Sequence, residues 1–464
     1  NTALYFTSGS KNIAIGNGSQ FNTRAADDNV SIGDQSLSAN TTGTSNIAIG
    51  TNALDASTTG SANVGVGYFA LTDLTTGGNN TAIGNAAAQN CTTASSIVAV
   101  GSAALDANST GSNNVAVGKS ALQNNTTAPN NTAVGNDALK NNTTGERNVA
   151  VGATALDAVT TGARNTGIGF GALGANTSSN NTALGHAALA GNTSGSDNVA
   201  IGSQALDSNT TSSSHVAIGR SALGSNTTGD ANTAVGFEAL LDSQTSSNHT
   251  AVGSRALHNN TTGQQNTALG VNTLFNNTSG EHNVAVGTSC LDNNTTADHN
   301  TGVGHNALGA NTTGTNNTAV GADALDANTT GQQNVAVGYR ALSASNTNSN
   351  TAVGFEAGQN ITTGQRNDCF GRATMNSLTT GNDNVGIGKG SLNNLTTGHG
   401  NAAFADISQV ATRLFNVTTE NDRLILGHHN ITNAYIKVAL TVTSDERDKI
   451  DFSSVPHGLD FVNK

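Results

Sequence analysis

Along most of the chain a short block of alternating apolar and small residues gives way to a polar run, and the block then returns on a fixed step. In "NVAVG" (148–152), Val149 and Val151 fall on one side of an extended segment and Ala150 on the other. That period of two marks a β-strand. A second apolar point follows at the Leu of an Ala-Leu pair: Leu54, Leu71, Leu105, Leu122, Leu139, Leu156 and onward. Between it and the next strand stands "NTTG" or a close variant. This is turn chemistry, in which Asn tolerates left-handed backbone and Gly supplies positive φ without steric cost.

The glycine that closes each strand measures the step. From Gly16 through Gly33, Gly50 and Gly67 to Gly169 the spacing is 17 residues, and single 16-residue steps lead to Gly185 and Gly354. The series ends at Gly388 after 23 copies, with a worn copy at "NAAFA" (401–405), where Ala405 replaces the glycine. A period this short cannot hold a pair of helices and fits one coil of a solenoid. The expected fold is all-β: a parallel β-solenoid of about 23 coils with 17-residue repeats, each coil made of two short strands and two turns. Stacked at about 4.8 Å per coil, the array forms a rod roughly 110 Å long. The centre of the strand is almost always Ala, with the smaller Gly65, Gly167, Gly302 and Gly386 as exceptions. Small residues in a column let a second surface approach closely, so the rods are expected to pack side by side, three around an axis.

Composition sharpens this picture. Of 464 residues 55 are Gly, aromatics are 3%, Trp is absent and Met occurs once, so no ordinary aromatic-rich core is available. Charged residues are 10%, too few for the high-charge signature of disorder. The net charge of −12 comes with no basic run, which argues against a nucleic-acid partner. No apolar run approaches the roughly 18 residues of a membrane span, so membrane insertion is not expected. The chain opens on Asn1 with no signal peptide ahead of it, and is read as a fragment or processed product whose N-terminal module is not seen.

Candidate chemistry is sparse. Cys91, Cys290 and Cys369 have no disulfide or zinc spacing and read as small buried thiols. "GIGFG" (167–171) consists of repeat glycines, and "GKSAL" (118–122) lacks the first glycine of a nucleotide loop, Asn113 standing there instead. Asp55, Asp106, Asp157, Asp207 and Asp326 recur after the repeat Leu and read as solvated turn positions. His186, His215, His249, His282, His299 and His305 read as variable turn slots. The Asn-Thr-Thr triplets are formal glycosylation acceptors, but their place in nearly every coil fits stabilising ladders better. No cofactor is expected.

The "N-x-[V/A]-A-[I/V]-G" strand with its small-residue turn resembles the heads of trimeric autotransporter adhesins, and more closely, through "NTTG" and the 17-residue step, the repeat shafts of phage tail fibres. The resemblance covers most of the chain and implies a left-handed β-roll assembled as a fibrous homotrimer. After residue 405 the register stops, and "DRLILG" (422–427) and "NAYIKVALTV" (433–442) read as strands of a cap. "SDERDK" (444–449), followed by "PHGLDF" (456–461), resembles the start of the intramolecular chaperone and autoprotease domain that ends phage tail spikes and fibres. Ser444, Asp445, Arg447 and Lys449 match its hallmark, with Asp448-Lys449-Ile450 departing from the usual Leu-Lys-Lys. The resemblance implies self-cleavage between Ser444 and Asp445, Ser444 attacking its own peptide carbonyl and Lys449 serving as base.

The expected organisation is a lead-in at 1–11, the shaft at 12–405, a β cap or neck at 406–444 and the start of a truncated chaperone at 445–464. The pair His428–His429 in a trimer would set six imidazoles near one axis, a weak metal candidate, against exposed side chains with no ligand. The expected function is structural: a trimeric virion tail-fibre shaft mediating attachment to a host cell, matured by one self-cleavage and otherwise not an enzyme. Its expected partners are its own copies, a host cell-surface receptor of glycan type, and other tail proteins through a missing N-terminal region. The alternative is an extracellular trimeric adhesin on a bacterial surface.

Overall fold

The computed structural model describes residues 9–404 and 417–427. Twenty-five strands of three residues each, β1 (Ile13–Ile15) through β25 (Leu424–Leu426), stack in chain order as one parallel sheet, each bonded to the next. The step between rungs is the repeat itself: Thr132 pairs with Val149, Ala133 with Ala150 and Val134 with Val151. The 24 intervals from first strand to last amount to about 115 Å at 4.8 Å each. The parallel solenoid expected from the glycine spacing is the fold, and no helix occurs among the described residues.

Each coil has one strand, not two. After the strand the backbone reaches its Gly with φ near +135°, as at Gly152 (+134°), a region that L side chains rarely adopt. The Ala-Leu segment expected as a second strand is instead a tight turn. In the coil of residues 131–147, Asp137 has φ 55° and Leu139 φ 51°, and Arg147 at the far corner has φ 59°. A bulky residue such as Leu in the left-handed region stores on the order of 1–2 kcal/mol. The side chain is fully buried in return, as are Leu54, Leu105 and Leu156 in their coils. The "NTTG" glycine also has a different purpose from the one its sequence suggests. Gly145 does not take positive φ; a Cβ there would lie 2.1 Å from the Gly162 oxygen in the next coil.

The strand faces are reversed with respect to the packing expectation. Ala150 and its equivalents (Ala116, Ala133, Ala183, Ala200) point into the coil and are completely buried within one chain. The interior is one or two side chains thick, which is why the residue must be small. At Gly65 a Cβ would stand 3.3 Å from Leu54 Cγ, and at Gly302 it would meet Cys290 Sγ at 2.5 Å. Cys290 replaces an Ala, and the glycine one rung later makes room for it. Gly386 likewise faces the enlarged Thr374 and Met375. The small column therefore serves the coil's own core, and it is the Val, Ile and Thr column that faces outward.

Both 16-residue coils keep the strand register, Thr166 pairing with Thr182 and Val335 with Thr351. The lost residue comes out of the corner turn: Asn176 and Asn181 are five apart, where Asn142 and Asn148 are six. At the other end, β24 (Ala402–Phe404) is followed after a 22-residue step by β25. "VTTENDRLILG" (417–427) reproduces a turn and strand of the repeat, with Val417 in the Asn slot and Glu420 in the Gly slot. The strand expected in 422–427 is thus one more rung of the same sheet.

Candidate functional site

Two buried columns of asparagine bind coil to coil. In the column just before the strand, Asn131 Nδ2 donates to the Gly145 oxygen (2.9 Å), while its Oδ1 accepts the Asn148 backbone N–H (2.8 Å). In the "NTTG" column, Asn125 Nδ2 donates to Asn108 Oδ1 and Asn142 Nδ2 to Asn125 Oδ1, both at 2.8 Å. Each such bond contributes about 1 kcal/mol net, and an orphaned partner costs somewhat more. Where the column is interrupted the orphan is visible: Asn142 Oδ1, facing Val159, and Asn328 Oδ1, facing Ser345, are buried with no partner. These asparagines are fully buried, so the ladder reading of the triplets is the correct one and their amides are inaccessible in the folded coil. The first threonine continues the scheme on the outside, Thr126 Oγ1 donating to the Thr143 oxygen at 3.1 Å.

Two histidines belong to this interior and not to variable turns. His215 and His249 occupy the Asn slot before the strand and are buried. Each Nδ1 accepts the backbone N–H of the next coil's asparagine, Asn232 and Asn266, at 3.2 Å. The His215 Nε2 also lies 2.9 Å from Ser212 Oγ. Burial pushes both imidazoles down from 6.5 to about 4, so they are neutral near pH 7. The sequence carried a signal for this: in both coils Ser replaces the turn glycine three positions earlier, at Ser212 and Ser246.

The three cysteines are free and buried, with the thiols of Cys91 and Cys290 pushed up by burial to about 11 and about 12. All three are the small buried thiols expected from the sequence. The recurrent aspartates are less solvated than expected. Asp55, Asp106, Asp157, Asp207 and Asp326 are half-buried with carboxyls held above the ordinary range by desolvation, and Asp55 Oδ1 and Asp326 Oδ1 have no hydrogen-bond partner.

What remains for function is the outer surface, and two features stand out there. The first is the outward strand face, where Ile47, Val284 and Val335 in one column and Ile49, Ile83, Val134, Ile168 and Val320 in the other are exposed along the rod. The second is the corner just past the strand glycine. Tyr68, Phe170, Phe237, Tyr339 and Phe355 all fall on the position after that glycine. His186 stacks on Phe170 there with ring centroids 5.7 Å apart, and Arg220 lies over Phe237 at 4.7 Å. Beside them Glu238 takes Arg255 at 3.1 Å and Arg220 at 3.5 Å. His282 and His299 are exposed at a different corner, stacked at 5.0 Å, and His305 stands by Asp323.

Ser444, Asp445, Arg447 and Lys449, and the pair His428–His429, lie outside the described residues. Among the described residues no group of three or more His, Cys, Asp or Glu side chains gathers to hold a metal. No helix there is long and apolar enough to cross a membrane. No family model, curated protein or solved structure matches the chain.

Proposed function

We propose that the chain is the shaft of a fibrous homotrimer, of virion tail-fibre type, that carries attachment to a host cell surface. The observation that carries this reading is the outward strand face. A ribbon of Val, Ile and Thr about 115 Å long, its side chains half-buried to exposed, has no cover on a single chain. Soluble monomers rarely expose contiguous apolar patches beyond a few hundred Å². A self-complementary sheet face repeated at every rung is covered most simply by the same face of other copies, with rungs aligned. Burial of the Ala column inside each coil moves the contact to this face. Sedimentation equilibrium of the purified chain at micromolar concentration should give three times the chain mass; a stable monomer defeats the reading.

The virion assignment rests on the "SDERDK" element and its implied cleavage. Parallel coils of near-identical sequence can slip by a whole repeat at little cost. A C-terminal segment that starts three chains together and is then removed answers that difficulty and makes the product kinetically persistent. The test is a Ser444→Ala chain expressed with its natural downstream sequence. It should run on a denaturing gel as one longer band, while the parent is shortened at Ser444–Asp445. Unchanged cutting in the variant removes both the nucleophile and the tail-fibre assignment.

A further inference from the structure

We infer that the corner formed by Tyr339, Arg340, Phe355, Arg372 and Lys389 is a binding site for an acidic polysaccharide chain lying along the rod axis. This rests on the attachment reading above and gives it a place and a ligand class. Tyr339 and Phe355 sit on consecutive coils with ring centroids 5.3 Å apart and planes at 28°. They are 42% and 45% exposed. Arg340 lies over the Tyr339 ring at 5.8 Å and Arg372 over the Phe355 ring at 5.7 Å. Each of the two stacked rings thus has a guanidinium over it, which orients both cations and lowers the entropy they lose when a ligand arrives.

Neither guanidinium is neutralised. Several of the rod's exposed arginines meet carboxylates, Arg147 with Glu146, Arg255 with Glu238 and Arg366 with Asp383, while Arg164 meets the Asn180 amide oxygen. Arg340 and Arg372 have no carboxylate within 4.0 Å among the described residues, and Lys389, exposed one coil beyond Arg372, has none either. Glu356 stands between them without an ion pair. The half-buried Asp326 feels the Arg340 charge without bonding to it. Arg340, Arg372 and Lys389 are thus three cations without an ion pair on a chain of net charge −12. Their fork-shaped donors suit carboxylate or sulfate groups.

The spacing selects a linear ligand. Arg340 and Arg372 are two coils apart, roughly 10 Å along the axis, and Lys389 follows one coil later at about 5 Å. An extended acidic sugar chain whose anions recur along its length can meet both intervals, and its rings can lie against the exposed edges of Tyr339 and Phe355. A compact phosphate group meets one guanidinium and leaves the other unused.

The test uses the assembled protein with four probes: a heparin hexasaccharide, a polygalacturonate hexasaccharide, inorganic polyphosphate and uncharged cellohexaose, measured by calorimetry at low salt. At least one acidic sugar is expected to bind, with cellohexaose silent. The double variant Arg340→Gln/Arg372→Gln is expected to weaken that binding at least tenfold while sedimenting as the parent does. Tyr339→Ala/Phe355→Ala is expected to weaken it less. Binding unchanged in the arginine variant, equal binding of cellohexaose, equal binding of inorganic polyphosphate, or no binding of either acidic sugar overturns the proposal. A change of oligomeric state in the arginine variant also overturns it, because the corner is then an interface between copies. Because the sedimentation of the parent is read independently, failure of the sugar site leaves the trimeric shaft standing or falling on its own measurement.

Discussion

Moving the protein from pH 7.5 to pH 5.0 should loosen the shaft between the coils of His215 and His249 while coils far from them keep their protection. Both imidazoles are held neutral, with pKa values lowered from 6.5 to about 4 by burial. Above pH 6.5 neither the folded nor the unfolded chain protonates them, and their full contribution to stability is present. As the pH falls from 6.5 towards 4, only the unfolded chain takes up the proton, so stability is lost through that window. At pH 5 the loss is about 2 kcal/mol per histidine. The structural reason is specific: a protonated Nδ1 would turn a donor towards the N–H of Asn232 or Asn266, which it now accepts. Asp230 opposes the lowering at His215, and the raised carboxyl of Asp207 in the same coil acts in the opposite direction below its own pKa. The informative comparison is therefore with His215→Asn/His249→Asn, which restores the ladder residue. Hydrogen exchange at the two pH values should show faster opening around residues 198–266 in the parent only. Equal protection in parent and double variant at pH 5 would sink the idea.

Replacing Gly152 by Ala should break the rod at one rung. The glycine sits at φ +134°, and an added Cβ would lie 2.5 Å from the Gly169 oxygen and 2.7 Å from its carbon. Both obstacles are backbone and belong to the next coil, so neither can turn aside. The cost is on the order of 3 kcal/mol or more, combining a strained backbone with a clash. In a solenoid each repeat contacts only its neighbours, so the damage appears as a local weak point and not as global unfolding. Limited proteolysis should yield two fragments meeting near residues 152–170. Gly171→Ala is the control. That glycine has φ +63° with open space where the Cβ would go, and Ala103 holds the same slot at φ 57° in another coil. It should be nearly silent; equal sensitivity of the two variants would show that the close approach of successive glycines does not limit the coil.

These two sites also show how far the sequence could be read. The 17-residue step and the strand of "NVAVG" are legible because the strand glycine is replaced only once its series ends, and strand periodicity is local. Which face of the strand lies inside is less legible, since Ala and Val are both apolar and alternation alone assigns no direction. The informative sign was tolerance: the outer positions accept Thr132, Thr182 and even Asp368, whereas from β1 to β24 the inner one takes nothing larger than Cys369. The second strand was over-read, because a turn with Leu at positive φ has the same composition as a strand edge. His215 and His249 were misplaced for a different reason. Their role depends on a partner 17 residues away and a serine three residues back, which a single coil does not display. The outer corner was half legible: Tyr339, Phe355 and Arg372 share one slot in the repeat, but the contact between their side chains appears only when coils are stacked.

The bonds of the ladder run from each coil to the one after it, and apart from the interrupted positions every coil offers the same donors and acceptors as its neighbour. A structure of that kind contains no measure of its own extent. Removing one 17-residue unit from the run between Gly101 and Gly152, or copying one into it, leaves every remaining bond with a partner of the same kind. The length of the shaft is therefore a count kept by the gene and not a property enforced by folding, and it can change by whole units of about 4.8 Å without any change in the design of the coil.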